Sequence, residues 1–230
     1  GGAALVKIAE KAKPVAPAVW RSIGALGGPT ATEWLKARVA KGGGESEEAA
    51  RALQQRKDPA LLPWALGLAA NPATPKGVRE EMFGLAELTG GPAARDGLVR
   101  IIAGDKNELV RYRAYEAALA AGKASAIVPA LEAFPDKAPY KPDDVKDYLV
   151  KDIEKLGKDA RDEVVRALTS PSALARFVAV WALESSKIGT AADAEALKKV
   201  ASDKGTLKGF PGGLTVGKEA TRVAAALSKR

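Results

Sequence analysis

At 230 residues, with 47% hydrophobic and 28% charged side chains, the chain is long enough to bury a sizeable core, and disorder is not its expected state. It holds neither cysteine nor histidine, which removes disulfides, thiolate nucleophiles, the usual zinc sites, histidine-ligated haem and every triad built on an imidazole base. The formal charge is +8, but acids and bases alternate closely from Asp136 to Glu163 and no basic tail is present, so the charge alone does not specify an anionic partner.

Alanine dominates the apolar set and aromatics make up 5%, a composition suited to helices packed closely through small side chains. The expected fold class is therefore all-α. Residues 3–12 predict a short amphipathic helix, ended by Pro14 and Pro17. A second runs from about Ala18 to Leu26, with Trp20 and Ile23 inward, until Gly27-Gly28-Pro29 breaks it. A third opens at Thr32, with Thr30 or Thr32 as N-cap, and runs to Lys41 before Gly42-Gly43-Gly44. A fourth, Glu45 to Arg56, is acidic at its start and basic at its end, as the helix dipole favours. Residues 1–57 are expected to form a helical cap or a degenerate repeat.

From Asp58 the pattern becomes a series of helix pairs, expected to form one continuous domain over 58–230. Pro59 to Ala70 and Lys76 to Leu88 flank the turn Asn71-Pro72-Ala73-Thr74-Pro75. In 91–122, two helices flank Gly104-Asp105-Lys106-Asn107: Leu98, Val99, Ile101 and Ile102 gather on one side of the first, and Leu109, Val110, Ala114, Ala117, Ala118 and Leu119 on one side of the second. Ser125 to Phe134 and Asp143 to Leu156 flank a long proline-stiffened turn around Tyr140, which is expected to protrude. Asp159 to Leu168 pairs with Ala173 to Ser185, and Ala191 to Ala201 with a closing helix, Val216 to Leu227. Between these last two lies a glycine-rich loop that Phe210 is expected to pin down.

Aligning the second helices on an apolar-basic pair gives Val78-Arg79, Val110-Arg111, Val145-Lys146 and Ala175-Arg176, spaced 32, 35 and 30 residues apart, within the range of helical repeats. With these residues the chain resembles the HEAT-repeat family, whose units are helical hairpins with a turn Asp and, six residues on, an Arg in a Val-Arg pair. Asp105 with Val110-Arg111 matches in full, Ser170 with Arg176 in part, and Leu207-Lys208 after Asp203 echoes the pattern. Over residues 58–227 the resemblance implies a right-handed α-α superhelix of about five to six hairpins, with inner second helices lining a concave face. It also implies a ladder of turn acids and basic partners. Ala73 and Tyr140 stand where two of the acids would be, so this ladder is expected to be incomplete.

Arg79, Arg111, Lys146 and Arg176 would form a basic column that could grip phosphates or an acidic strip on a partner. The same residues could instead satisfy helix ends and turn acids, since the repeat and not a site sets their type. With Arg113 and Tyr140 they are the candidate partner-binding residues. Trp181 with Glu184 is similar to the aromatic-plus-carboxylate arrangement of helical-repeat DNA glycosylases, but Val178, Val180 and Leu183 around it favour core packing. Asp143, Asp144 and Asp147 lack the glycine and bidentate Glu of a calcium loop, and Asp143 reads as an N-cap. No catalytic, metal-binding or cofactor-binding residue is assigned. The function expected is a non-catalytic scaffold or assembly subunit that binds another protein, the alternative being nucleic-acid binding with base repair as its extreme. The single methionine is Met82 and the sequence starts Gly1-Gly2, as would suit the residues after a removed signal peptide or a lipid-bearing Cys. A periplasmic or lipoprotein placement in the envelope is thus weighed slightly above the cytoplasm.

Overall fold

The computed structural model describes residues 1–12, 14–135 and 138–230. Among these the regular structure is helical and no strand occurs, as the alanine-rich, helix-periodic sequence dictates. None of the described helices is long and apolar enough to cross a membrane. The chain divides into two compact units, Gly1–Ala94 and Arg95–Arg230, and the boundary falls inside the helix Gly91–Gly104.

In the first unit α1 (Gly2–Lys11) pairs with α2 (Pro17–Leu26), α3 (Pro29–Lys41) with α4 (Ser46–Gln54), and α5 (Leu62–Ala70) with α6 (Lys76–Thr89). Pro17 and Pro29 open α2 and α3 at the first helical position, where a missing N–H costs nothing. The start of α3 therefore lies three residues before the expected Thr32, whose hydroxyl donates back to the Gly28 carbonyl at 3.0 Å instead of capping. The pairs also pack on one another, α2 on α4, α4 on α6 and α1 on α3. Small side chains allow this: a Cβ on Gly24 would lie 2.6 Å from the Ala52 carbonyl oxygen, so only glycine lets α2 approach α4 so closely.

The second unit begins within α7 (Gly91–Gly104) and continues through α8 (Glu108–Gly122), α9 (Ile127–Glu132), α10 (Pro142–Val145), a π-helical segment Lys146–Val150 and α11 (Lys151–Glu154). It ends with α12 (Arg161–Ala167), α13 (Ala173–Glu184), α14 (Asp193–Lys199) and α15 (Val216–Leu227). Side chains start three of these helices: Asn107 accepts from Leu109 N–H at 3.0 Å, Ser172 from Ala175 N–H at 3.3 Å and Thr215 from Lys218 N–H at 3.2 Å. The helix expected from Asp143 begins instead at Pro142, with Lys141 as N-cap and Asp143 and Asp144 in its first turn, and it widens to π geometry in its middle. Packing follows the scheme of the first unit. α8 lies against the π segment and α11, these against α13, and α13 against α15, while α12 pairs with α13 and α14 with α15.

An ion pair with a buried acid and a half-exposed base ties α12 to α14. Asp193, 1% exposed, accepts from two Arg161 nitrogens at 2.6 and 3.1 Å and from the backbone and hydroxyl of Thr190 at 2.8 and 3.0 Å. Burial pushes its carboxyl up, but Arg161 and the Thr190 donors prevail and hold it below the usual carboxylate range. A depressed native pKa contributes stability that is present above the unfolded value of about 4 and is lost as pH falls through the native one. Asp193→Ala is expected to lower the unfolding free energy near neutral pH by about 2 to 3 kcal/mol. Urea titrations repeated at about pH 3 should show a smaller gap between variant and wild type; an unchanged gap would contradict the linkage.

Candidate binding groove

The four residues of the expected basic column serve two different purposes. Arg79, in the first unit, donates from Nε and Nη2 to the Ala69 carbonyl at 3.0 and 2.8 Å, closing the end of α5. In the second unit Arg111 is 7% exposed and donates to the turn carbonyls of Asp105 and Lys106 at 3.0 and 3.2 Å. Arg176 donates to the Ser170 and Pro171 carbonyls at 2.6 and 3.0 Å and reaches Asp203 at 2.6 Å, a rung from one inter-helix turn to the next. These guanidinium groups are committed to a helix end or to the turns. Lys146 differs: it leaves the π segment and places Nζ 4.8 Å from the centre of the Trp181 ring.

Tyr140 does not stand out on a protruding turn. It is 1% exposed, its N–H donates to the Lys208 carbonyl at 2.8 Å and its hydroxyl to the Pro135 carbonyl at 2.6 Å. Gly209, at φ +90°, allows this, because a Cβ there would lie 2.4 Å from the Tyr140 carbonyl oxygen. Asp136 and Lys137, part of the same expected turn, lie outside the described residues. Phe210 follows and packs on Phe177 and Trp181 at ring separations of 5.0 and 5.7 Å, holding the glycine-rich loop down.

Trp181 is a core residue, 3% exposed, and its indole N–H donates to Glu219 at 2.8 Å. Arg222 binds Glu184 through two nitrogens at 2.5 and 2.8 Å, and this guanidinium holds the Glu184 carboxyl below the usual range.

An open groove lies between α8 and the stretch from the π segment to α11. Leu109, Tyr112, Arg113 and Glu116 line it from α8, at the i, i+3, i+4, i+7 spacing of one helix face. Asp147, Tyr148, Asp152 and Lys155 face them, and the cleft encloses about 360 Å³. Tyr148 stacks on Tyr112 with centroids 4.7 Å apart and planes 15° from parallel, a contact worth about 0.5–1.5 kcal/mol. Leu109 nevertheless stays 66% exposed and Tyr148 44%. Leu109 thus leaves the buried stripe expected of α8, whose inward face is Ala114, Ala117, Ala118 and Leu119. Burial and the acceptor Glu108, 2.9 Å away, push the Tyr112 hydroxyl up, so it remains a donor. Burial also pushes the Asp152 carboxyl up, an effect only partly offset by Lys155 at 2.5 Å.

Of the six candidate partner-binding residues only Arg113 lies in this groove. Of its other residues, Leu109 was expected in the core and Asp147 was weighed only as a calcium ligand, although a signal was there: α8 carries a second stripe, Leu109-Tyr112-Arg113-Glu116, beside the alanine stripe that marks its core face. No protein-family model matches the chain, and no curated protein matches it in sequence. The division between turn-bound arginines and open groove is measurable. Arg111→Ala leaves two turn carbonyls without their donor and is expected to lower the unfolding free energy by about 2 kcal/mol in a denaturant titration. An unchanged midpoint would return Arg111 to the pool of interaction residues.

Proposed function

We propose that the chain is a non-catalytic helical-repeat module, a HEAT-like superhelix of helical hairpins, that holds another protein in the groove between α8 and the π segment to α11. The observation that carries this reading is the pair of exposed apolar side chains, Leu109 and Tyr148, set together over a stacked tyrosine in a cleft rimmed by charges. Scattered exposed apolar residues need no explanation; two that share one cleft do. An apolar centre with a charged rim is the usual anatomy of a protein interface, and tyrosine is a favoured anchor because it buries much area for little lost rotamer freedom. Five of the eight lining residues are charged, unlike the mainly apolar lining of a small-molecule pocket.

Packing supports the repeat architecture. In each unit a pair of consecutive helices is followed by another, and the second helices are neighbours: α2, α4 and α6 in the first; α8, the π segment with α11, α13 and α15 in the second. The Arg176 to Asp203 rung joins one inter-helix turn to the next, as a ladder of turn acids and basic partners would. The turn-bound arginines also weigh against nucleic acid, because they are the cations a phosphate backbone would have used.

Affinity capture with wild type and with a Leu109→Ser, Tyr148→Ala double variant, compared by quantitative mass spectrometry, tests this. At least one protein is expected to be recovered by wild type and depleted at least about tenfold with the variant. Fluorescence anisotropy with duplex DNA at low and physiological salt is expected to show no steeply salt-dependent micromolar binding. Captured proteins that ignore both substitutions, or strong salt-dependent DNA binding, would overturn the proposal.

A further inference from the structure

The groove is acidic on a protein that is basic. Around the Tyr112–Tyr148 stack stand five carboxylates: Glu116, Asp147 and Asp152 in the lining, Glu108 on the Tyr112 hydroxyl, and Asp144, whose charge acts on that same hydroxyl. Among the described residues, three cations pair with these carboxylates. Arg113 and Lys155 lie 3.5 and 3.8 Å from Glu116, Lys155 also binds Asp152 at 2.5 Å, and Lys151 binds Asp147 at 2.6 Å. Among the described lining residues three carboxylates face two cations, and Glu108 and Asp144 add their charge at the Tyr112 hydroxyl, while the whole chain carries +8. A local reversal of sign around an apolar centre selects for a partner of opposite charge.

Two of the carboxylates, Glu116 and Asp147, are also held loosely enough to change partners. Among the described residues Glu116 has the two long contacts given above, and the Asp147–Lys151 pair is exposed on both sides, with side chains 57% and 65% open, so an incoming cation can take the place of either lysine at little cost. One face of the Tyr148 ring lies on Tyr112, and the residue remains 44% exposed, which leaves room for a planar cation to stack. Tyr148 reaches this position from the middle of the π segment. Single π turns inside helices are frequently found at functional sites, because the extra residue re-aims the side chains around it.

We propose that the groove takes a basic amphipathic segment of a partner protein, seating an aliphatic or aromatic side chain between Leu109 and Tyr148 and a lysine or arginine against Asp147 and Glu116. This deepens the protein-binding reading above and rests on it. Apolar anchors at helical spacing in a groove between two helices are a recurring mode of peptide recognition. The acid excess adds the selection for charge.

The test is a display selection of random peptides of about three helical turns on the whole 230-residue chain. It includes counter-selection on the Leu109→Ser, Tyr148→Ala double variant, whose fold is checked by circular dichroism. Enriched peptides are expected to be net positive with apolar residues at i, i+3 or i+4. They are also expected to lose at least about tenfold in affinity for a Glu116→Lys, Asp147→Lys variant. The overall charge of the chain favours acidic peptides non-specifically, so basic enrichment runs against the background. Enrichment of acidic or neutral peptides that still depend on Leu109 and Tyr148, or binding indifferent to the charge variant, would overturn the basic class and leave the groove standing. Failure to enrich any peptide that depends on Leu109 and Tyr148 would overturn the groove itself.

Discussion

The second unit depends on the burial of α13. Nine of its twelve residues are buried, from Leu174 to Leu183 on every side of the helix, and a helix apolar all round is stable only when neighbours cover it on all sides. α9, α12, α15, the π segment and α11 supply that cover. Its two charged residues lie toward its ends and each is neutralised by the neighbour it meets, Arg176 by Asp203 and Glu184 by Arg222. The remaining helices are arranged around this one because no other position lets so much apolar surface leave water.

The groove is a by-product of the same packing. A second helix that gives its alanine face to the core has an opposite face to present elsewhere. On α8 that face carries Leu109, Tyr112, Arg113 and Glu116. The partner helix is widened, so its tyrosine meets Tyr112 ring to ring instead of leaving the contact to aliphatic chains. Fixed aromatic side chains with charges on either side give a surface that is organised before anything binds, and such preorganisation reduces the entropy lost on association.

Much of the architecture was legible in the sequence because it depends on local signals. Proline and glycine punctuation marked nearly every helix, and the alanine content announced close packing. The Val-Arg spacing found the turn-bound arginines and Trp181 read correctly as core. The groove was harder to see, for two physical reasons. Leu109 counted as one more apolar residue on an apolar face, and exposure is a property of the neighbour as much as of the residue. The π segment shifts the phase of the helix by one residue between Val145 and Lys151, so a pattern read at 3.6 residues per turn cannot keep Val145, Tyr148 and Asp152 in a single frame. Tyr140 failed differently: its burial depends on a hydrogen bond to Lys208, 68 positions along the chain, and no local pattern encodes that.

This distant contact makes the glycine-rich loop a fixture of the groove. Tyr140 is seated on Lys208 and Gly209 by its backbone, and Lys141, the very next residue, is the N-cap from which α10 starts. The rigid helical run from there to Glu154 carries Tyr148 and Asp152, so a loop near the carboxyl end of the chain sets the datum from which one wall of the groove is hung. Any side chain at position 209 would push on that datum, and the displacement would reach the aromatic stack without a single groove residue having been altered.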